Sequence, residues 1–199
     1  MYSKIKFIVL TMAIILLIFF GFYIKNQENK GVLNSKVRQT VQKQAYDKME
    51  NYEKYWLEKS IPSMKVTNLS NEPIIIENNS SPSLYVVWAS WCPDCQRELP
   101  IIDSLYNEFS ENVNFITIDL VGFKGETIED AKRMCEDKDL SVPVFFDTTK
   151  QVYQKLNIFA IPTLFFVNNK GIIKNIIIEN ADESTCRKLI KNLLVSNKS

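Results

Sequence analysis

The sequence predicts an α/β domain that carries a pair of cysteines at the start of a helix. An apolar segment at 84–89 is typical of a strand buried on both faces of a sheet. Cys92 and Cys95 follow this strand, and a helix-like segment at 96–109 comes directly after them. Because open α/β sheets place their sites beyond the carboxyl ends of the strands, this strand-to-helix turn is the predicted functional site.

Cys92 is the predicted nucleophile of this turn, and Cys95 is the predicted resolving thiol. Unpaired backbone N–H groups and the macrodipole at a helix N-terminus stabilise a thiolate, and only a thiolate attacks a disulfide. Pro93 suits the first helical turn, where its missing N–H needs no partner. Cys95 lies one turn further on, where it can break the mixed disulfide that Cys92 forms.

Two other interpretations of the cysteine pair are half of a zinc site and an inert structural disulfide. The chain has 0 His, and Cys135 and Cys186 stand apart, which disfavours zinc. The neighbouring tryptophan, proline and helix start disfavour an inert bridge. Without histidine there is no usual haem ligand and no Cys-His couple. We therefore expect no metal and no cofactor, and chemistry based on thiols and carboxylates.

The length of the chain limits the number of domains, and its net charge limits the kinds of partner that it can bind. With 199 residues, the chain can form one catalytic domain with a sizeable core and an appendage. Its formal net charge of +1 offers no strongly basic surface, so nucleic-acid binding is not expected. The pattern divides the chain into 1–24, 25–62 and 63–199.

The first part has the pattern of a transmembrane anchor. The run 7–24 has no charged residue and as a helix would be about 27 Å long, near the roughly 30 Å hydrocarbon core of a bilayer. Lys4 and Lys6 precede it, which favours a cytoplasmic N-terminus and an extracytoplasmic location for the rest of the chain. Neither a small-residue cleavage site nor a lipidation cysteine follows, so an uncleaved anchor is preferred over a removed signal peptide.

The second part contains an amphipathic helix from about 35 to 59, which ends before Pro62. Its apolar residues recur at steps of three and four: Val37, Val41, Ala45, Met49, Tyr52 and Trp56. We favour a spacer packed on its own domain, because an apolar stripe most often covers a core. A helix that docks a partner or lies on a membrane surface is the alternative.

The third part alternates strands with helices. A hairpin is predicted at 64–69 and 73–77, and Pro100 lies within the helix that follows the cysteines. Apolar runs mark further strands at 113–120, 142–146, 163–167 and 172–178. Apolar residues at helical spacing mark helices at 126–137, 150–156 and 182–194.

Two motifs carry a resemblance to the thioredoxin superfamily. The segment 87–100, Val-Trp-Ala-Ser-Trp-Cys-Pro-Asp-Cys-Gln-Arg-Glu-Leu-Pro, resembles the active-site segment of membrane-tethered proteins of the TlpA and ResA group. The segment 160–166 resembles the superfamily's cis-proline loop, so a cis bond, if present, is expected at Ile161-Pro162. The resemblance implies a thioredoxin-like fold with a TlpA-type N-terminal hairpin and a central helix-strand insertion.

The same resemblance implies a surface that binds polypeptide substrates around the dithiol. Trp91 and the surface of Pro93 would contact the substrate, and backbone groups at Ile161, next to Pro162, would pair with its main chain. Such main-chain pairing tolerates many substrate sequences. Trp88 is expected in the core.

The chain departs from cytosolic thioredoxins at the proton acceptor. Thioredoxins have a buried aspartate where this chain has Val86, and a lysine where it has Phe115. Glu98 matches a glutamate that ResA-like proteins carry near the dithiol, and a partly desolvated carboxyl there would accept a proton from Cys95. The competing interpretation is an exposed helical glutamate, since charged helix residues are mostly solvated.

These features predict an extracytoplasmic thiol-disulfide oxidoreductase. Its expected partners are protein thiols and disulfides, and a membrane or extracellular redox partner that resets the dithiol. Cys-Pro-Asp-Cys in an anchored chain also resembles a disulfide oxidase of streptococci, which favours disulfide formation. Asp94 argues against a strong oxidant, because negative charge beside Cys92 disfavours a thiolate. ResA-like reduction of apocytochrome c or other thiols is one alternative, and a surface interaction module or holdase with an incidental dithiol is another.

Cys135 and Cys186 lie on predicted helices that the fold could bring to one face. An oxidising compartment permits a bridge between them. Separate buried thiols are the simpler interpretation, because a free cysteine behaves as a small hydrophobe.

Overall fold

The computed structural model describes residues 36–77 and 80–196, and these described residues divide into a first unit that ends at Asn51 and a second unit that begins at Tyr52. Helix α1 spans 36–56, and its residues Val37 and Val41 are exposed. The predicted anchor at 7–24 lies outside the described residues. Among the helices that are described, none is both long enough and apolar enough to cross a bilayer.

The second unit is built on one mixed sheet. Its described strands are β1 Met64–Thr67, β2 Pro73–Ile76, β3 Ser83–Trp88, β4 Asn114–Asp119, β5 Val144–Phe146, β6 Thr163–Val167 and β7 Ile173–Ile178. They form a 7-stranded sheet in the order β2-β1-β5-β4-β3-β6-β7. Strand β3 pairs in parallel with β4 and antiparallel with β6. All of its residues are buried, which agrees with the uninterrupted apolar run in the sequence.

The helices follow the predicted order. They are α2 Pro93–Phe109, α3 Ile128–Asp137, α4 Gln151–Lys155 and α5 Glu183–Ser196, with a 3-10 turn at Phe123–Gly125. Thr127 caps α3 by accepting the backbone N–H of Asp130 on its side chain, so this helix begins two residues later than predicted. The predicted α/β class, the N-terminal hairpin β1-β2 and the insertion α3-β5 are all confirmed.

The hairpin is shorter than its apolar pattern indicated. Strand β1 ends at Thr67 because Asn68 begins the turn. The Asn68 side-chain carbonyl accepts the backbone N–H groups of Ser70 and Glu72, each at 2.9 Å. An asparagine that holds its own turn in this way ends the strand before the apolar Leu69.

The last turn of α1 contributes to the core of the second unit. Tyr52 and Trp56 are both 7% exposed, whereas Val37 is 53% exposed. The Tyr52 hydroxyl donates to the Leu156 carbonyl at 2.7 Å, and its ring centroid lies 5.1 Å from that of Phe159. These two aromatic residues of the predicted amphipathic helix are therefore packed in the second unit.

Candidate active site

Cys92 is the N-cap of α2. Its backbone is extended, with φ −84° and ψ 117°, and its sulfur accepts the backbone N–H of Cys95 at 3.4 Å. Pro93 occupies the first helical position, as the sequence predicts, and is exposed. The Cys92 sulfur thus faces backbone N–H groups that have no partner inside the helix, the environment that stabilises a thiolate.

The loop before β6 closes over the same sulfur. The Ile161-Pro162 peptide bond is cis, as the sequence predicts. The Cys92 thiol donates to the Ile161 carbonyl oxygen at 3.4 Å. The structure therefore brings together Cys92 and the cis-proline loop, which are 69 residues apart in the chain.

Cys95 lies behind Cys92 in a fully buried position. Its exposed fraction is 0%, compared with 5% for Cys92. Burial, then the hydrogen bond with Cys92 and the nearby charge of Glu98, raise the pKa of the Cys95 thiol far above its usual range. Cys95 is therefore held as a thiol.

Glu98 lies one turn after Cys95 on the buried face of α2. It is 2% exposed, so the interpretation as an exposed helical glutamate is wrong. Burial raises the pKa of Glu98, although the Ala181 backbone N–H and the Arg97 guanidinium, 3.3 Å from Oε1, act in the opposite direction. A carboxyl with a raised pKa beside Cys95 can exchange a proton with that thiol.

Asp94, between the two cysteines, is ion-paired. Its Oδ1 lies 2.7 Å from Nη1 of Arg97, on the next turn of α2. The same guanidinium contacts Glu98 through Nη2. The negative charge of Asp94 near Cys92 is thus partly balanced by Arg97, a pairing that the sequence prediction did not include.

Trp91 lies at one edge of the surface around the dithiol. It is partly buried, and its indole N–H donates to the Phe123 carbonyl at 3.1 Å. Together with Phe123, Tyr153 and Phe159 it lines a cavity of about 190 Å³ that also reaches Ile161. Trp91 and Ile161, two of the predicted substrate-binding residues, therefore share one surface. Trp88 is fully buried, as predicted.

The sequence prediction missed two acidic residues, Glu126 and Asp119, near the segment that leads into the dithiol. Glu126 accepts the backbone N–H of Ser90 at 2.8 Å and the Ser90 hydroxyl at 2.9 Å. Asp119, at the carboxyl end of β4, is paired in register with Trp88 and is fully buried. An acidic residue at the end of a largely buried strand rich in Phe and Ile was the available signal for Asp119. Glu126 had no such signal, because its partner is 36 residues away.

All four cysteines are free thiols, so the structure describes the reduced dithiol. Cys135 is half-buried on α3, and Cys186 is buried on α5. Burial is the main cause that raises the pKa of each of these two thiols to about 12. In the structure these are two separate thiols, of which only Cys186 is fully buried.

Similarity to known proteins agrees with this geometry. A model of the AhpC/TSA family matches residues 57–176, a span that includes the dithiol and the cis-proline loop. The chain belongs to the AhpC/TSA family. Sporulation thiol-disulfide oxidoreductase A of Bacillus subtilis is 31% identical over 109 residues, which cover 53% of this chain and 64% of that protein. Thiol-disulfide oxidoreductase ResA of Bacillus cereus is 27% identical over 134 residues, covering 66% of this chain and 75% of that protein.

Solved structures show the same fold for this AhpC/TSA family chain. The crystal structure of StoA from Bacillus subtilis has a TM-score of 0.58 at 26% identity, and the match covers 66% of this chain and 98% of that one. A thiol:disulfide interchange protein from Chlorobium tepidum has a TM-score of 0.60 at 19% identity, with 69% and 97% covered. The predicted thioredoxin-like fold, the likeness to the ResA group and the enzyme class, thiol-disulfide oxidoreductase, are confirmed.

Proposed function

We propose that this protein forms disulfides in secreted or surface proteins by exchange at Cys92. The observation that carries the proposal is the position of the Cys92 sulfur. It caps α2, accepts the Cys95 N–H and lies 3.4 Å from the Ile161 carbonyl. A substrate chain that pairs with the backbone at Ile161 would present its own sulfur to Cys92.

In the proposed reaction, the oxidised Cys92-Cys95 disulfide accepts electrons. A client thiolate attacks the Cys92 sulfur, the bond between the two cysteines breaks, and Cys95 leaves with the electron pair and takes up a proton. A second client thiolate then attacks the client sulfur of the mixed disulfide and releases Cys92 as a thiolate. The client has lost two electrons, which a disulfide-bearing redox partner must accept from the reduced dithiol.

Glu98 is the proposed proton carrier for Cys95. Both side chains lie on the buried face of α2, three residues apart, where the ionised thiol is strongly disfavoured. Because burial also raises the pKa of Glu98, its carboxyl holds a proton at higher pH than an exposed glutamate. It can therefore protonate the Cys95 thiolate as that sulfur leaves Cys92, and it can accept the proton in the reverse step.

The Asp94–Arg97 pair supports the oxidising direction. An unpaired Asp94 would disfavour a thiolate on Cys92, and a stabilised thiolate is what makes a dithiol oxidising. The ion pair at 2.7 Å reduces that repulsion. The second candidate direction is reduction of extracytoplasmic disulfides, which the resemblance of the segment 87–100 to ResA-like proteins implies.

We also propose that the run 7–24 anchors the protein in the membrane, with the dithiol on the extracytoplasmic side. The support is the uncharged apolar run itself and the preceding lysines. Alkaline carbonate extraction of cell membranes tests this location. Release of the full-length chain into the soluble fraction would contradict an anchor.

Substrate trapping tests the exchange reaction. In Cys95→Ala, the Cys92 thiolate can still attack a client disulfide and expel one client thiolate, which is the reverse of the last proposed step. Because Cys95 is absent and cannot break the resulting mixed disulfide, clients should remain covalently bound through Cys92 and be released by a reductant. Cys92→Ala combined with Cys95→Ala is the matched control and should trap nothing. If Cys95→Ala traps no proteins, the proposed exchange at Cys92 is contradicted, and the alternative of a surface interaction module is favoured.

The equilibrium potential against glutathione tests the direction. Disulfide formation predicts a potential toward that of DsbA, about −120 mV, whereas a value near that of thioredoxin, about −270 mV, would identify a reductase.

A further inference from the structure

A buried acidic pair lies beneath the loop that leads into Cys92. Asp119 is 0% exposed and Glu126 is 4% exposed. Glu126 uses both oxygens to bind Ser90, accepting its N–H through Oε1 at 2.8 Å and its hydroxyl through Oε2 at 2.9 Å. Ser90 stands two residues before Cys92. Glu126 therefore fixes the backbone that enters the dithiol.

Asp119 has a different set of contacts from Glu126. Within residues 36–77 and 80–196, no donor reaches either of its buried carboxyl oxygens. Its carboxyl does lie within hydrogen-bonding reach of the Glu126 carboxyl. Two ionised carboxylates would repel each other there, since neither has a hydrogen to give. One proton held by Asp119 converts this repulsion into a hydrogen bond.

The surroundings of Asp119 favour its neutral form. Among the described residues, the titratable groups that face it are Glu126 and, on α3, Asp130 and the thiol of Cys135. Just after β5, the backbone N–H of Asp147 donates to the backbone carbonyl of Asp119 at 2.8 Å. Arg133, near this cluster, is ion-paired with Asp130 at 3.6 Å. Burial, followed by the charge of Glu126, raises the pKa of Asp119 to about 9.

We propose that Asp119 is a positioning residue for the dithiol, which as a neutral acid donates a hydrogen bond to Glu126 and so keeps Glu126 bound to Ser90. This proposal rests on Cys92 being the reacting thiol. When Asp119 loses its proton, repulsion displaces Glu126 and weakens its hold on Ser90. The Asp119 proton thus controls the backbone geometry at Cys92 without contacting a substrate.

NMR of the full-length chain in mild detergent tests the proposal. The Cys92→Ser background removes the titration of the neighbouring thiol, so the test does not depend on exchange activity. We expect the Ser90 amide shift to change with pH in step with the Asp119 carboxyl carbon, at a pH well above the ordinary aspartate range. Asp119→Asn keeps a donor that cannot ionise, and its Ser90 amide should lack this step. Asp137→Asn, an exposed position on α3, is the matched control and should keep it.

Two results would overturn the proposal: an Asp119 carboxyl that titrates in the ordinary aspartate range, or a Ser90 amide that does not respond to it. In the otherwise native chain, Asp119→Leu should slow the reaction of Cys92 with a model disulfide about fivefold at neutral pH, the effect of losing one hydrogen bond, whereas Asp119→Asn should react like wild type. Equal rates for Asp119→Leu and wild type would also contradict it. If Asp119→Leu does not fold, the NMR titration still decides. Failure of exchange at Cys92 would leave that titration unchanged, so the two proposals fail separately.

Discussion

The two sides of the dithiol hold their buried carboxyl groups in different ways. On the Cys95 side, Glu98 has a cation beside it, because the Arg97 guanidinium lies 3.3 Å from Oε1 at the edge of the site. On the Cys92 side, Asp119 faces another acid, Glu126, and accepts no hydrogen bond from the described residues. One carboxyl therefore has a partner for its charged form, and the other depends on its proton.

This difference in contacts suits Glu98 to the proposed proton-transfer role and Asp119 to the proposed positioning role. Glu98 can change its protonation state during exchange, because Arg97 and the Ala181 N–H stabilise its charge once it forms. Asp119 cannot do so without disturbing Glu126 and Ser90. The comparison predicts that pH acts on Cys95 through Glu98 and on the backbone at Cys92 through Asp119.

The largest expected effect distinguishes the roles of the Cys92 and Cys95 sulfurs in exchange. Cys92→Ser should reduce disulfide exchange with a model peptide by roughly a thousandfold or more, because the attacking atom is lost. Cys95→Ser should still allow the Cys92 thiolate to attack a disulfide-bonded peptide, and should accumulate the mixed disulfide, which mass spectrometry detects. Cys135→Ser, a half-buried thiol on α3, is the control and should exchange normally. A covalent adduct of equal yield in Cys92→Ser would break the assignment of the two sulfurs.

Glu98→Gln is expected to have the next largest effect. If Glu98 carries the proton as proposed, its removal should slow the step at Cys95 about a hundredfold, at the low end of the range for general acid–base catalysis. Since burial raises the pKa of Glu98, the wild-type rate of Cys95 deprotonation should rise as pH increases through that raised range. The variant should lack this rise.

Glu108→Gln is the matched control for Glu98, because Glu108 is on the same helix but at its far, partly exposed end. Rapid-quench alkylation of Cys95 across pH measures the difference. Identical pH profiles for Glu98→Gln and wild type would remove Glu98 from the mechanism.

Asp119→Asn should have the smallest effect, on stability. Burial raises the pKa of Asp119 to about 9 in the folded chain, whereas the unfolded chain releases this proton near the ordinary aspartate pKa of 3.8. Between these values the folded state binds more protons, so this group lowers stability as pH rises. Asparagine removes that loss. Going from about pH 5 to about pH 8, the free energy of unfolding of the variant should increase relative to wild type by at least about 1 kcal/mol.

Chemical denaturation of the full-length chain at the two pH values measures this change. Asp137→Asn serves again as the exposed control and should follow wild type. If the free energy of unfolding of the wild type changes with pH in the same way as that of Asp119→Asn, Asp119 is ionised in the folded state. The proposed contrast between Glu98 and Asp119 would then be wrong.

The sequence alone determined the parts of the site that depend on neighbours in the chain. The N-cap position of Cys92, Pro93 at the first helical turn and the strand before them follow from local backbone chemistry over a few residues. The position of the cis bond, Ile161-Pro162, follows from the resemblance of this segment to the cis-proline loop, together with the rarity of cis bonds before residues other than proline.

Only the tertiary structure decided which charged groups are buried and what they contact. Glu98 is buried because α5 and the Ala181 backbone cover that face of α2, and Asp119 is buried because β4 ends beneath the loop that carries Glu126. Tyr52 joins the core through Leu156, 104 residues away. Burial and long-range pairing depend on how distant segments pack, and a one-dimensional pattern of polar and apolar residues does not contain that information.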